Sequence, residues 1–166
     1  MYPRKKSVKQ SVYLETTIIS YLTARPAQDP IVLGRQILTK EWWQKRKDAF
    51  MIVLSDLVLQ EIQAGDSEAA RRRLKLASGI PSLPISNESV TLAELLVNKG
   101  PIPTEYPEDA LHVALCAVHD IDFLLTWNCS HLANAVLRYD LESVVSNAGF
   151  NCPVICTPEE LMEPEI

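Results

Sequence analysis

Long apolar runs are missing from this chain. Stretches such as Met51–Leu54 and Phe123–Leu125 fall far short of the ~20 residues that a membrane-spanning helix needs. The N-terminal MYPRKKSVKQ is basic but has neither an apolar stretch nor a small-residue cleavage site, so it does not read as a signal peptide, and a cytoplasmic location is expected. Cysteine occurs four times, at Cys116, Cys129, Cys152 and Cys156, and never as C-x-x-C; a chain of this size needs no disulfide staple. Spacing alone would let Cys152 and Cys156 share a metal or oxidise together, whereas two small thiols packed beside a strand account for them more simply. The five glycines never form G-x-G-x-x-G or a Walker loop, and no nucleophile elbow occurs, so the usual loops of small-molecule α/β enzymes are absent. Internal repeats and low-complexity tracts are absent too.

Positive charge is scarce in one place only. Residues 1–99 carry 15 Lys/Arg against 10 Asp/Glu, whereas beyond Lys99 a single basic residue, Arg138, faces 11 acids. Basic clusters recur at Arg4–Lys9, Lys45–Lys47 and Arg71–Lys75. The split suits a polyanion-facing surface beside an acidic region, and solvated helix faces would produce it as well. The net charge of −5 argues against holding duplex DNA by bulk charge.

What is present fits one soluble domain: 166 residues, 47% hydrophobic and 22% charged. Residues 1–10 read as a basic N-terminal extension and 11–166 as a single domain. Val12–Leu14, Met51–Leu54, Phe123–Trp127 and Pro153–Cys156 read as strands, with Ser82–Ile85 short and extended. Between them fall helices over Thr16–Thr23, Pro30–Lys47 (burying Ile31, Ile37, Leu38 and Trp42), Leu57–Gln63, Ser67–Ala77, Glu88–Asn98 capped by Asn87, Glu108–His119, and Leu132–Asn147 with a break near Arg138; Thr157–Glu160 reads as a final turn of helix. The Glu108–His119 helix is apolar nearly all round and belongs at the centre of the fold. Apolar strands alternating with helices predict a three-layer α/β fold around a mostly parallel sheet.

Ligands of such sheets gather at the carboxyl ends of the strands. Glu15 follows the first strand and Asn128 follows Phe123–Trp127. Glu61 shares a helix face with Leu57 and Val58, near a helix C-terminus where negative charge is disfavoured. Such a carboxylate needs Arg, Lys or a metal ion beside it, unless the helix phase is one residue out and it faces solvent. Asp109, in the first turn after Pro107, suits a ligand or a simple dipole partner, as does Glu108. Carboxylates converging at a sheet edge would bind a hard divalent cation such as Mg²⁺ or Mn²⁺, and an ion-bound water can attack a phosphodiester. Spacings of 46, 48 and 19 residues carry no local signature.

At these same residues the sequence resembles the PIN-domain family, and within it the VapC-type toxins of bacterial toxin–antitoxin pairs. The resemblance lies in four ordered blocks: Val12–Leu22 around Glu15, Ser55–Ile62 around Glu61, Glu108–Ala114 around Asp109, and Phe123–Leu132 around Asn128. Glu15 and Asn128 stand where the family usually has Asp. The resemblance implies an α/β/α PIN-like fold and a Mg²⁺- or Mn²⁺-dependent endoribonuclease, with Glu15, Glu61 and Asp109 as metal ligands. It implies that Asn128 positions a ligand water or the scissile phosphate, that Thr16 and Thr126 orient the carboxylates, and that Arg71, Arg72, Arg73 and Lys75 take RNA phosphates. A cognate antitoxin and a homodimer are the implied partners. The alternative is a PIN-fold module that binds RNA or protein and has lost turnover through the changes at Glu15 and Asn128. Trp42-Trp43 would stack bases or, more simply, serve core and surface; His112, His119 and His131 read as structural histidines bonded to neighbours.

Asn128→Asp adds a charge to the implied ion site and is expected to tighten divalent-metal binding in calorimetric titration. Unchanged or weaker binding would place Asn128 outside the metal shell.

Overall fold

The computed structural model describes residues 8–164; most of the expected basic extension, including Arg4–Lys6, lies outside them. Strands β1 (Ser11–Leu14), β2 (Met51–Ser55), β3 (Ser82–Leu83), β4 (Phe123–Leu125) and β5 (Val154–Cys156) are short, as suits strands covered by helices. All pair in parallel, in the order β3-β2-β1-β4-β5. The central strand β1 is buried along its whole length, and its Tyr13 lies level with Val53 on one side and Leu124 on the other.

The helices are α1 (Thr16–Thr23), α2 (Pro30–Arg46), α3 (Asp56–Glu61), α4 (Ser67–Ala77), α5 (Asn87–Asn98), α6 (Pro107–Val118) and α7 (Ala135–Asn147). The chain steps outward from β1 through β2 to β3, then crosses back to β4 and on to β5. Right-handed crossovers therefore put α1, α2 and α4 on one face and α5, α6 and α7 on the other. The helix contacts agree, with α1 against α2 and α4, and α5 against α6 and α7. This is the three-layer arrangement that the strand–helix alternation predicts. The winding reverses between β1 and β4, the kind of switch point at whose carboxyl ends open parallel sheets bind ligands.

Most elements are built as their residues dictate, and five segments differ from the sequence expectation. Ile31 and Ile37 are 67% and 57% exposed, because α2 turns Gln36, Thr39 and Trp42 inward instead. Gln36 binds the 25–27 backbone, accepting from Ala27 N and donating to Arg25 O, while Thr39 Oγ1 receives the indole N–H of Trp127 at 2.7 Å. Helix α5 is capped by Ser86, not Asn87, through a reciprocal box with Ser89. Strand β4 ends at Leu125, because Trp127 N leaves the ladder for Thr17 Oγ1. Helix α7 starts late, at a cap made by Asn134, and runs unbroken past Arg138. Residues 158–161 form turns, not helix.

Elsewhere sequence and structure agree. Helix α6 buries Ala110 and everything from His112 to Ala117. Trp42 is fully buried against Phe50 and Trp43, which removes it as a base-stacking surface. The four cysteines are free thiols. Burial pushes Cys152 and Cys156 up to about 12, which keeps them protonated and unreactive at neutral pH. None of the described helices is long and apolar enough to cross a membrane.

Candidate active site

Three carboxylates stand at the carboxyl edge of the sheet, each carried by a different element. Glu15 follows β1 and is only 5% exposed. Its backbone N–H continues the ladder to Leu125 O, and its side chain folds back to cap α1. Oε2 accepts three hydrogen bonds, from Thr17 N, Thr17 Oγ1 and, at 2.8 Å, Thr126 Oγ1. Thr126 Oγ1 in turn accepts from Asn128 N, and Thr17 Oγ1 from Trp127 N. The ends of β1 and β4 are thus tied together around one buried anion. No Lys or Arg pairs with it among the described residues.

Glu61 closes α3 on the face that also buries Leu57 and Val58. A carboxylate so placed needs a partner, and the partner is His112, whose Nε2 lies 2.7 Å from Oε1; Thr16 Oγ1 donates to the same oxygen at 3.0 Å. His112 is itself buried, and its Nδ1 lies 2.7 Å from the Tyr13 hydroxyl, which meets Ser55 Oγ at 2.7 Å. Ser55 Oγ also accepts from Val58 N to start α3. A continuous polar chain, Ser55–Tyr13–His112–Glu61–Thr16, therefore runs through otherwise apolar packing. Burial opposes charge on both His112 and Glu61. For His112 the Glu61 hydrogen bond and the charges of Glu15, Glu61 and Asp109 outweigh it and raise the imidazole above its usual range. For Glu61 the bond and charge of His112, with the Thr16 hydroxyl, outweigh it and hold the carboxyl below its own.

Asp109 sits in the first turn of α6, its N–H bonded to Tyr106 O. Its Oδ2 lies 2.8 Å from His131 Nδ1. His131 comes from the loop after β4, and Asn128 holds that loop: Asn128 Oδ1 accepts from His131 N at 3.0 Å, and Asn128 O accepts from Leu132 N and Ala133 N. The Tyr106 ring packs on the imidazole with centroids 4.3 Å apart. The interaction of Asp109 with His131 had no trace in the linear spacing; the Thr-x-Asn-x-x-His order is the signal that a side-chain turn would place a histidine near the strand end.

One imidazole thus feels all three acids, 46 and 48 residues apart in sequence. Their oxygens are the donors a hard cation takes, and Glu15 Oε1 accepts no hydrogen bond among the described residues. In kind, the donor set fits Mg²⁺ or Mn²⁺. In position, His112 and His131 occupy Glu61 and Asp109, and no three His, Cys, Asp or Glu side chains among the described residues converge closely enough to share an ion.

The basic helix α4 is used in two ways. Arg72 Nε donates to Thr23 O, while Arg73 donates to Ile62 O and Ala64 O, so both satisfy carbonyls at the ends of α1 and α3. Arg71 reaches Glu68 on its own helix, and Lys75 is exposed. The sequence reading missed Arg35: its guanidinium lies over the Trp127 ring, 5.3 Å from the centroid, one residue from Asn128, and forms no ion pair among the described residues.

Comparison with known proteins gives one kind of match. No family model matches the chain, and no curated protein does. Among solved structures, the chain is similar to one in the crystal structure of VapBC2 from Rickettsia felis bound to a DNA fragment from their promoter, with a TM-score of 0.55 and 18% identity over 89% of this chain and 98% of that one. At that identity the likeness establishes the fold, a PIN-like α/β arrangement.

The Tyr13 hydroxyl joins two buried partners, so Tyr13→Phe strands His112 Nδ1 and leaves Ser55 Oγ with only its bond from Val58 N. A loss of about 1–3 kcal/mol in chemical denaturation is expected. A loss below roughly half a kcal/mol would mean that Glu61 alone positions the imidazole.

Proposed function

We propose that this chain is a VapC-like, metal-dependent endoribonuclease. The observation that carries the reading is the placement of Glu15, Glu61 and Asp109 on three different elements at the carboxyl edge of a parallel sheet, with no Arg or Lys paired to any of them among the described residues. Glu15, buried with no Arg or Lys beside it among the described residues, calls for a cation. Glu15, Glu61 and Asp109 would hold Mg²⁺ or Mn²⁺, which supplies an acidified water and charge for the leaving oxygen of an RNA phosphodiester.

The remaining work belongs to the chain. Thr126 and Thr17 fix the Glu15 carboxylate through one oxygen, and the other, without a hydrogen bond among the described residues, would be open to an ion. Thr16 and His112 fix Glu61 in the same way, so both acids are oriented by neighbours that restrict their rotamers. Asn128 keeps the post-β4 loop folded through its bond to His131 N, and it would position a ligand water or the scissile phosphate. Arg71 and Lys75, exposed on α4, would take flanking phosphates, with Arg72 and Arg73 contributing charge from their capping positions. The VapBC2 likeness supports a cognate antitoxin as partner. A homodimer and a cytoplasmic setting complete the proposal.

A second reading has its own observation. Glu61 and Asp109 are hydrogen-bonded to histidines, and the acids do not converge as one ligand cluster, which suits a PIN fold that binds RNA or protein without turnover.

Cleavage of single-stranded RNA in Mn²⁺ or Mg²⁺ separates the two. The native chain is expected to cut RNA, chelation to abolish cutting, and Asp109→Ala to slow it on the order of a hundredfold or more, as removal of a charged group at a reacting centre does. Equal residual cleavage by both chains removes the nuclease reading and leaves the binding module.

A further inference from the structure

Trp42 is fully buried, and the aromatic pair beside Asp109 is Tyr106 with His131. Tyr106 is the last residue before α6 and is pinned at both backbone polar groups, its N–H on Pro103 O and its carbonyl under Asp109 N. His131 is pinned three times, through its backbone on Asn128, its Nδ1 on Asp109, and its ring tilted at 43° against Tyr106. The two rings therefore form a rigid pair whose position is set by Asp109 itself. Yet Tyr106 is 48% exposed, and its hydroxyl has no hydrogen-bond partner among the described residues. Half of a large aromatic ring is left open beside a proposed ligand of the reacting ion.

Charge narrows what can cover it. Asp109 and the exposed Glu108 lie within three residues of Tyr106, and Glu105 precedes it. A phosphate is repelled there, and a basic side chain would pair with the acids rather than lie on the ring. A nucleobase is flat, uncharged and apolar on its faces, so it alone among the parts of an RNA approaches this acidic rim without an electrostatic cost. In a duplex both faces of a base are already stacked; only an unpaired base has a face to offer.

We infer that Tyr106, braced by His131, is the stacking platform for an unpaired base beside the scissile phosphate. The inference rests on the nuclease reading for its account of where the phosphate lies, but its test does not need turnover. Fluorescence anisotropy in chelator-containing buffer compares a labelled single-stranded oligoribonucleotide, the same strand in duplex, and the strand with abasic sites. Stacking of one base predicts that Tyr106→Leu weakens binding of the intact strand by roughly tenfold, and that Tyr106→Phe, which keeps the ring, restores it. Abasic substitution should weaken binding to the native chain and add nothing in Tyr106→Leu, a coupling that a purely structural role would not produce. Equal affinity of native and Tyr106→Leu chains for the intact strand overturns the platform, as does a Leu penalty that persists in full on the abasic strand. Cleavage run in parallel keeps the two readings apart. Base-dependent binding without cutting retires the nuclease and leaves the platform, while cutting with base-independent binding does the reverse.

Discussion

Everything at the sheet edge depends on one buried imidazole. His112 lies inside α6 where an apolar residue would otherwise pack, and it bridges the Tyr13 hydroxyl of the central strand to the Glu61 carboxylate at the end of α3. A polar ring in that place is tolerable only because both nitrogens are satisfied. The consequence is geometric. Strand β1, helix α3 and helix α6 are far apart in sequence, and the hydrogen bonds of His112 fix their mutual placement more sharply than apolar contact alone. With those three elements fixed, Glu15, Glu61 and Asp109 have little choice about where they stand.

The same logic recurs at the second histidine. Asn128 occupies the place where the PIN resemblance leads one to expect an acid. Its carboxamide oxygen closes a turn onto His131 N, and that turn delivers His131 to Asp109. An amide is a neutral acceptor, so it can cap a loop beside three carboxylates without adding to their repulsion. The change of residue type thus has a local structural reason that is independent of any ion. The change at the first position has one too. Glu15 has a methylene more than Asp, enough for its carboxylate to turn back onto Thr17 N and the two threonine hydroxyls while remaining buried.

How much of this was legible in the residues themselves depends on range. The strand–helix alternation, the Thr16–Thr23 and Ser67–Ala77 helices, and the buried character of α6 follow from local pattern, and the structure has them. The inner face of α2 does not, because Gln36 and Thr39 go inward to bind a backbone turn and Trp127, partners distant in sequence, while Ile31 and Ile37 are left outside. At the site, periodicity put Glu61 on the face of Leu57 and Val58, where it would need a partner, and left a solvent-facing phase open. It could not identify the partner as a histidine 51 positions later. The arginines of α4 fall under the same rule. A run of basic residues looks like a phosphate surface until the carbonyl ends of α1 and α3 are seen to lie within reach of two of them.

The choice of histidine over arginine as the acids' neighbour also bears on what the edge can do. A guanidinium beside Glu61 or Asp109 would form a bidentate, permanently charged pair, and a metal would have to displace it at the full cost of leaving it buried. An imidazole makes a single hydrogen bond through one nitrogen and keeps its other anchor if that bond is given up: for His112 the Tyr13 hydroxyl, for His131 the adjoining Tyr106 ring and the Asn128 turn. The histidines therefore hold the carboxylates in place without claiming both oxygens of either. Glu15 completes the arrangement by having one oxygen saturated with hydroxyl and amide donors and the other unengaged. The edge is built as a set of anions that are oriented yet still available, which is the condition any ligand of opposite charge would require of it.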